Sequence, residues 1–160
     1  MRAAQMQCDK HVPKMVVESA QMLASAVRRR HARDEQMPLN QQGNPYKGGY
    51  KNHPCTVWAG DCRENFQWLA QHAAELLSEY LFRFGKVHAC TGPISRLTNL
   101  RYLLPYSCLS PGGLTPVAQA MPDKYKSHNA ITAYRNYYRA EKASFARWER
   151  GRPAPEWWAN

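Results

Sequence analysis

Glu18 sits beside an apolar stripe, with His11 seven residues and Lys14 four residues before it. A carboxylate next to apolar neighbours can have its proton affinity tuned, and a nearby imidazole or amine gives it a partner for proton transfer. The same spacing also makes an ordinary helix ion pair between Lys14 and Glu18. A second polar group, Lys51-Asn52-His53-Pro54, lies in a basic, Gly- and aromatic-rich turn region running from Tyr46 through Gly60. Polar loops held by a rigid helix are common places for chemistry.

Metal chemistry is a weaker expectation. His53-Pro54-Cys55 and His88-Ala89-Cys90 each place two ligand types two residues apart, and Cys8 and Cys62 add thiols. Tetrahedral zinc sites normally draw on pairs with CxxC spacing, which this chain lacks. Buried free thiols are the expected state, with no metal and no cofactor. Five cysteines and six histidines make chance Cys–His pairs easy, and no local nucleophile signature accompanies them.

The charge balance points to a partner. The chain has 22 Lys and Arg against 12 Asp and Glu, a formal net charge of +10. That excess favours a polyanion, nucleic acid first. Three segments share a basic character: Arg28-Arg29-Arg30, the Lys47 and Lys51 loop with Tyr46 and Tyr50, and the segment carrying Lys142 and Arg147. Lysines interleaved with aromatic rings suit phosphates and stacked bases. No apolar run reaches membrane-spanning length and no secretion signal is visible, so the expected location is the cytoplasm. The spacing does not reveal an oligomeric state.

Three long helices are expected to position these groups. Apolar residues recur at three and four from Met15 to Val27, predicting a helix over about Pro13–Arg30 with Asp9 as its cap. A second helix is expected over Arg63–Phe84, capped by Asp61 and stopped by Gly85. A third, capped by Asn129, is expected over about Ala130–Arg150. The connections read as long and irregular, with short helical pieces at Pro93–Tyr102 and Pro116–Met121. No segment alternates convincingly as a strand. The expected fold is therefore all-α, a compact single domain spanning residues 1–160. The tail Glu156-Trp157-Trp158 is too aromatic to be idle chain, so Trp157 and Trp158 should dock on the core or touch a partner.

Three stretches carry a family resemblance, the third loosely. Asp9-Lys10-His11 through Glu18 to Val27 resembles a group of small phage proteins, and through them the pyrimidine-dimer DNA glycosylases of the phage endonuclease V type. Their first helix has a His seven residues before the catalytic Glu. Gly49-Tyr50-Lys51-Asn52-His53-Pro54 resembles a segment of the bacterial members, and Arg152-Pro153 with Trp157-Trp158 is loosely similar to their tail. The resemblance implies an all-α fold and binding of duplex DNA containing a damaged or modified base. It also implies glycosidic bond cleavage through an imine, assisted by Glu18. His11 and His53 would be polar neighbours in the site. Arg28, Arg29, Arg30, Lys47, Lys51, Lys142 and Arg147 would hold phosphates, and Trp157 and Trp158 would dock or wedge.

The chain departs from the family pattern near its start. Position 2 is Arg rather than a small residue, only ten residues precede His11, and Val17 stands where the family has Arg. Lys14 is the substitute amine that the residues offer. The alternative expectation is a non-catalytic phage DNA-binding or interaction protein that keeps the fold. A third is action on free nucleotides or modified bases.

Overall fold

A computed structural model describes residues 2–107 and 113–158. Cys108 and Pro111-Gly112 lie outside the described residues, as does Met1. The chain is all-α. In order, it forms α1 (Arg2–Gln5), α2 (His11–Arg28), α3 (Pro54–Asp61), α4 (Arg63–Phe84), α5 (Thr91–Asn99) and α6 (Ala130–Lys142). Short 3-10 turns occupy Asp34–Gln36, Leu100–Leu103, Asp123–Tyr125 and Glu156–Trp158. The described residues contain no strand, only a bridge between Leu39 and Pro45.

The core forms between α2 and α4, flanked by α3 and α5. Val16, Ala20, Leu23 and Val27 on α2 meet Phe66, Leu69, Ala73 and Leu76 on α4, and Trp58, Ile94 and Leu97 complete the cluster. Each set recurs at three to four residues, which puts it on one helical face. The two helices run antiparallel. Arg83 near the end of α4 pairs with Asp9 before α2, while Arg30 after α2 donates to Gly60 and Asp61 before α4.

Several boundaries differ from those the sequence suggests. Helix α2 begins at His11 and ends at Arg28, and its capping residue, Lys10, makes no side-chain bond to it. Asp9 instead accepts from Arg83 and from the Glu149 backbone. Residues 54–61, expected as turn, are helical. Pro54 pre-sets the first turn, and His53 Nδ1 accepts from the Cys55 N–H as the cap. No helix forms at Pro116–Met121. There Thr115 is tied to Asn65, accepting from Asn65 Nδ2 at 2.7 Å, and its carbonyl accepts from Trp58. Three long helices is therefore an incomplete description, because α3 and α5 are genuine elements. The last helix stops at Lys142, eight residues early. Beyond it the chain turns back, and the Arg147 carbonyl accepts from the Asp9 N–H.

One buried charge cluster ties these pieces together. The Arg83 side chain is fully buried and Glu79 is 3% exposed. Arg83 donates to Glu79, Asp9, and the carbonyls of Gln5 and Gln7. Arg152 from the tail grips both Glu79 oxygens, at 2.8 and 3.1 Å. Burial alone would raise the Glu79 carboxyl; the two guanidiniums outweigh it and hold it below the ordinary range. Removing one partner from a buried pair strands the other, at a cost of about 3–5 kcal/mol. Arg83→Ala is accordingly expected to lose stability of that order in urea unfolding, while Arg101→Ala, at an exposed position, stays within about 0.5 kcal/mol of the parent.

Candidate active site

One face of α2 carries Lys14, Glu18, Gln21, Ser25 and Arg28, at alternating spacings of four and three. The loop from Tyr46 to His53 lies along it. The Arg28 guanidinium donates to the Tyr46 carbonyl at 2.9 and 3.2 Å. Ser25 Oγ both donates to the Gly49 carbonyl and accepts from the Gly49 N–H. The Gly49 N–H also reaches the Gln21 carbonyl. The loop therefore runs down α2 from its C-terminal end toward Glu18.

Two glycines make this approach possible. A Cβ on Gly48 would lie 2.3 Å from Ser25 Oγ and 2.8 Å from the Ser25 nitrogen, and φ there is +84°. Tyr50 follows with φ +55°, an unusual value for a bulky residue. Its ring packs edgewise on His53. Such backbone persists where surrounding bonds hold it, and here the His53 N–H bonds to the Tyr50 carbonyl at 2.8 Å.

At the heart of this face, Lys14 Nζ is 3.4 Å from Glu18 Oε1. The Glu18 side chain is 24% exposed and that of Lys14 60% exposed, so the pair is open to a ligand yet partly shielded. His53 caps α3 through Nδ1, which fixes the neutral ring's hydrogen on Nε2. His88 repeats the device, with Nδ1 accepting from the Cys90 N–H. The first His-x-Cys motif is thus a helix-starting cap and the second a local turn bond just before α5, and no group of three or more potential metal ligands converges among the described residues.

His11 lies one turn before Lys14 and is 9% exposed. Tyr138 of α6 and Phe145 pack edgewise on its ring, with centroids at 5.1 and 5.3 Å. Burial, with added repulsion from Lys14, Lys142 and Lys10, pulls its pKa down to about 4. It is therefore an uncharged ring at neutral pH. Helix α6 closes the same side of the site, because Tyr134 reaches Cys55 Sγ at 3.5 Å and donates to the Ala118 carbonyl.

The remaining expected site residues divide into two groups. Arg28 and Arg30 are engaged within the protein, Arg28 with Tyr46, Ala32 and Asp34, and Arg30 with Gly60 and Asp61. They hold the connections against the ends of the core helices. Arg147 donates to the Ala143 and Ala146 carbonyls from an exposed position. Arg29, Lys47 and Lys51 are exposed. Lys142 donates to Tyr137 Oη and lies over its ring. Trp157 and Trp158 pack around Tyr138, Trp157 donating to Met6 Sδ, so both rings are docked on the protein. Lys10 and Tyr138 were not singled out as site residues by sequence reasoning. Lys10 lies against Phe145, and Tyr138 against His11 and Cys8, the last 130 positions away, and no local spacing signals that.

The sequence profile of the family described as pyrimidine dimer DNA glycosylase matches residues 2–90, which include α1 to α4 and the whole 46–53 loop. No curated protein and no solved structure matches the chain.

Two measurements probe this arrangement. Gly48→Ala should cost about 1–3 kcal/mol by urea unfolding, because the added methyl meets Ser25 in a left-handed backbone; a cost below about 0.3 kcal/mol would mean the loop does not bear on α2. The second concerns pH. His11 and His72 both have pKa values near 4, set by burial first, so the unfolded chain binds more protons between pH 6.5 and 4. Stability should be full above pH 6.5 and fall as pH drops through that window. His72→Phe, which keeps the stack on Trp68, should flatten the fall between pH 6.5 and 5.

Proposed function

Because the chain belongs to the pyrimidine dimer DNA glycosylase family, we propose that it binds duplex DNA containing a damaged or modified base and cleaves that base from its sugar at the Lys14–Glu18 face. The amine–carboxylate pair at 3.4 Å is the observation that carries this reading. A helix ion pair is usually placed with the acid before the base; here the order is reversed, with a lysine near the positive end of α2. Stability alone gives little reason for that arrangement.

The chemistry needs a neutral amine as nucleophile and a carboxylate able to move protons. Lys14 passes a proton to Glu18 and its nitrogen attacks C1′ of the sugar. The new C–N bond forms as the glycosidic bond breaks, and the base leaves with the electron pair and takes up the second nitrogen proton. Glu18 delivers its proton to the ring oxygen as the sugar opens, and the nitrogen lone pair closes to a protonated imine. Removal of a C2′ proton then expels the 3′-phosphate and nicks the strand. His53, whose Nδ1 is taken by the cap, would donate through Nε2 to a sugar or phosphate oxygen.

A second reading rests on the same pair. Lys14 and Glu18 are also four residues apart on an exposed helix, and an ion pair of that kind contributes a few tenths of a kcal/mol without any reaction. In that case the chain binds DNA and does nothing to it.

Incubation with duplex carrying a pyrimidine dimer or an abasic site, with borohydride present, separates the two. The expected result is a trapped covalent adduct that maps to Lys14, and strand nicking that falls about 100-fold or more in Glu18→Gln. An adduct that persists in Lys14→Ala would move the nucleophile elsewhere. Duplex binding with neither adduct nor nick establishes the second reading.

A further inference from the structure

Helix α4 has one side that the described residues leave uncovered. Gln67, Gln71, Ala74, Ser78 and Leu81 are all exposed, and they follow one another at spacings of four, three, four and three. That alternation keeps them in one line along a helix and is the spacing of a helix–helix seam. The line lies roughly 120° round the helix from Phe66, Ala73 and Leu76, which pack in the core. Charged residues make up 21% of the chain, yet none stands on this line. A helix side that faces only water normally carries the charges.

The line ends in an apolar patch. Leu81, Phe82 and Val87 are 50%, 56% and 74% exposed. Single exposed apolar residues are ordinary, but three together at the end of an uncharged line mark a contact surface. Arg152 lies over the Phe82 ring and Gly151 close against it, so the patch is held in place. The two ends of α4 also differ in charge. Asp61 and Glu64 stand at its start and Lys86 just past its end. Arg63, also at the start, is turned onto the Tyr106 ring and the carbonyls of Tyr102 and Leu104. Such a helix complements a second copy of itself laid antiparallel. Each acidic start then meets a basic end, and each helix dipole lies against its opposite. Ala74 and Ser78, at the middle, are small enough to let two helix axes approach to about 8–10 Å.

We infer that the exposed side of α4 is an interface between two copies of this chain, paired antiparallel about a two-fold axis near Ala74. The pairing goes beyond the DNA reading above and does not depend on it. A strip along one 22-residue helix is smaller than the roughly 800 Å² that each partner buries in a standard interface, so the association is expected in the micromolar range. Because the strip lies away from the side of α4 that packs on α2, the Lys14–Glu18 face of each copy stays open in the pair.

Sedimentation velocity of the full chain tests this. The parent should pass from monomer to dimer between about 1 and about 200 µM. Ala74→Glu sets two carboxylates against each other at the axis and should weaken dimerisation by about tenfold or more, with an unchanged thermal midpoint at the lowest concentration. Oxidative cross-linking tests the direction. Ala74→Cys should cross-link to itself, whereas Gln67→Cys mixed with Leu81→Cys should cross-link more than either does alone. A parent that stays monomeric at about 200 µM overturns the interface and leaves the strip to a different protein or to solvent. A dimer that Ala74→Glu does not weaken overturns it too, as does one in which Gln67→Cys and Leu81→Cys each join only to themselves.

Discussion

The structure depends on a buried guanidinium. Arg83 has no exposed side-chain surface, and its donors are shared among two carboxylates and two backbone carbonyls. A charge held this way has little tolerance for rearrangement, because each lost bond leaves a desolvated group behind. The carboxylates come from before α2 and from within α4, and the carbonyls from the end of α1 and the segment just after it. Arg152 joins through Glu79. One side chain therefore fixes where α2 starts relative to α4. That sets the height at which Lys14 and Glu18 emerge on their face.

The site is built from two unequal kinds of support. Glu18 and Lys14 stand on a long helix whose other face is packed with Val16, Ala20 and Leu23. His53 and Tyr50 stand on a loop that has no core of its own and is held by backbone bonds to Ser25 and Gln21 and by the Arg28 clamp. The helix side is rigid because moving it would open the core. The loop side is a set of replaceable hydrogen bonds. Of the arginines that look like a phosphate patch in the sequence, Arg28 is that clamp and Arg30 is tied to the Gly60 and Asp61 carbonyls, while Arg29 is exposed.

What the sequence made legible follows from the range of the forces involved. The periodicity of α2 and α4 is local, and so their existence and buried faces could be read directly; Gly85 as the stop of α4 was visible for the same reason, with φ +64°. Helix α3 was hidden because Thr56, Val57 and Trp58 are residues that also suit strands and turns, and its start depends on a histidine acting as a cap. The end of α6 was overestimated because the aromatic spacing continues through Phe145 and Trp148, while those rings serve contacts with His11, Tyr138 and Trp158 from a turned-back chain.

The Glu79–Arg83–Arg152 cluster also sets an order of events during synthesis. Asp9 and Glu79 are made early, and Arg83 can pair with them as soon as α4 leaves the ribosome. The second cation on Glu79 arrives only with residue 152, and the Met6 contacts of Trp148 and Trp157 come at the same stage. Until then the α2–α4 pair can assemble, but the wall that α6 and Phe145 place against His11 cannot be secured. The nascent chain thus acquires Lys14 and Glu18 long before the packing on neighbouring His11, and the last segment translated completes the first segment's surroundings.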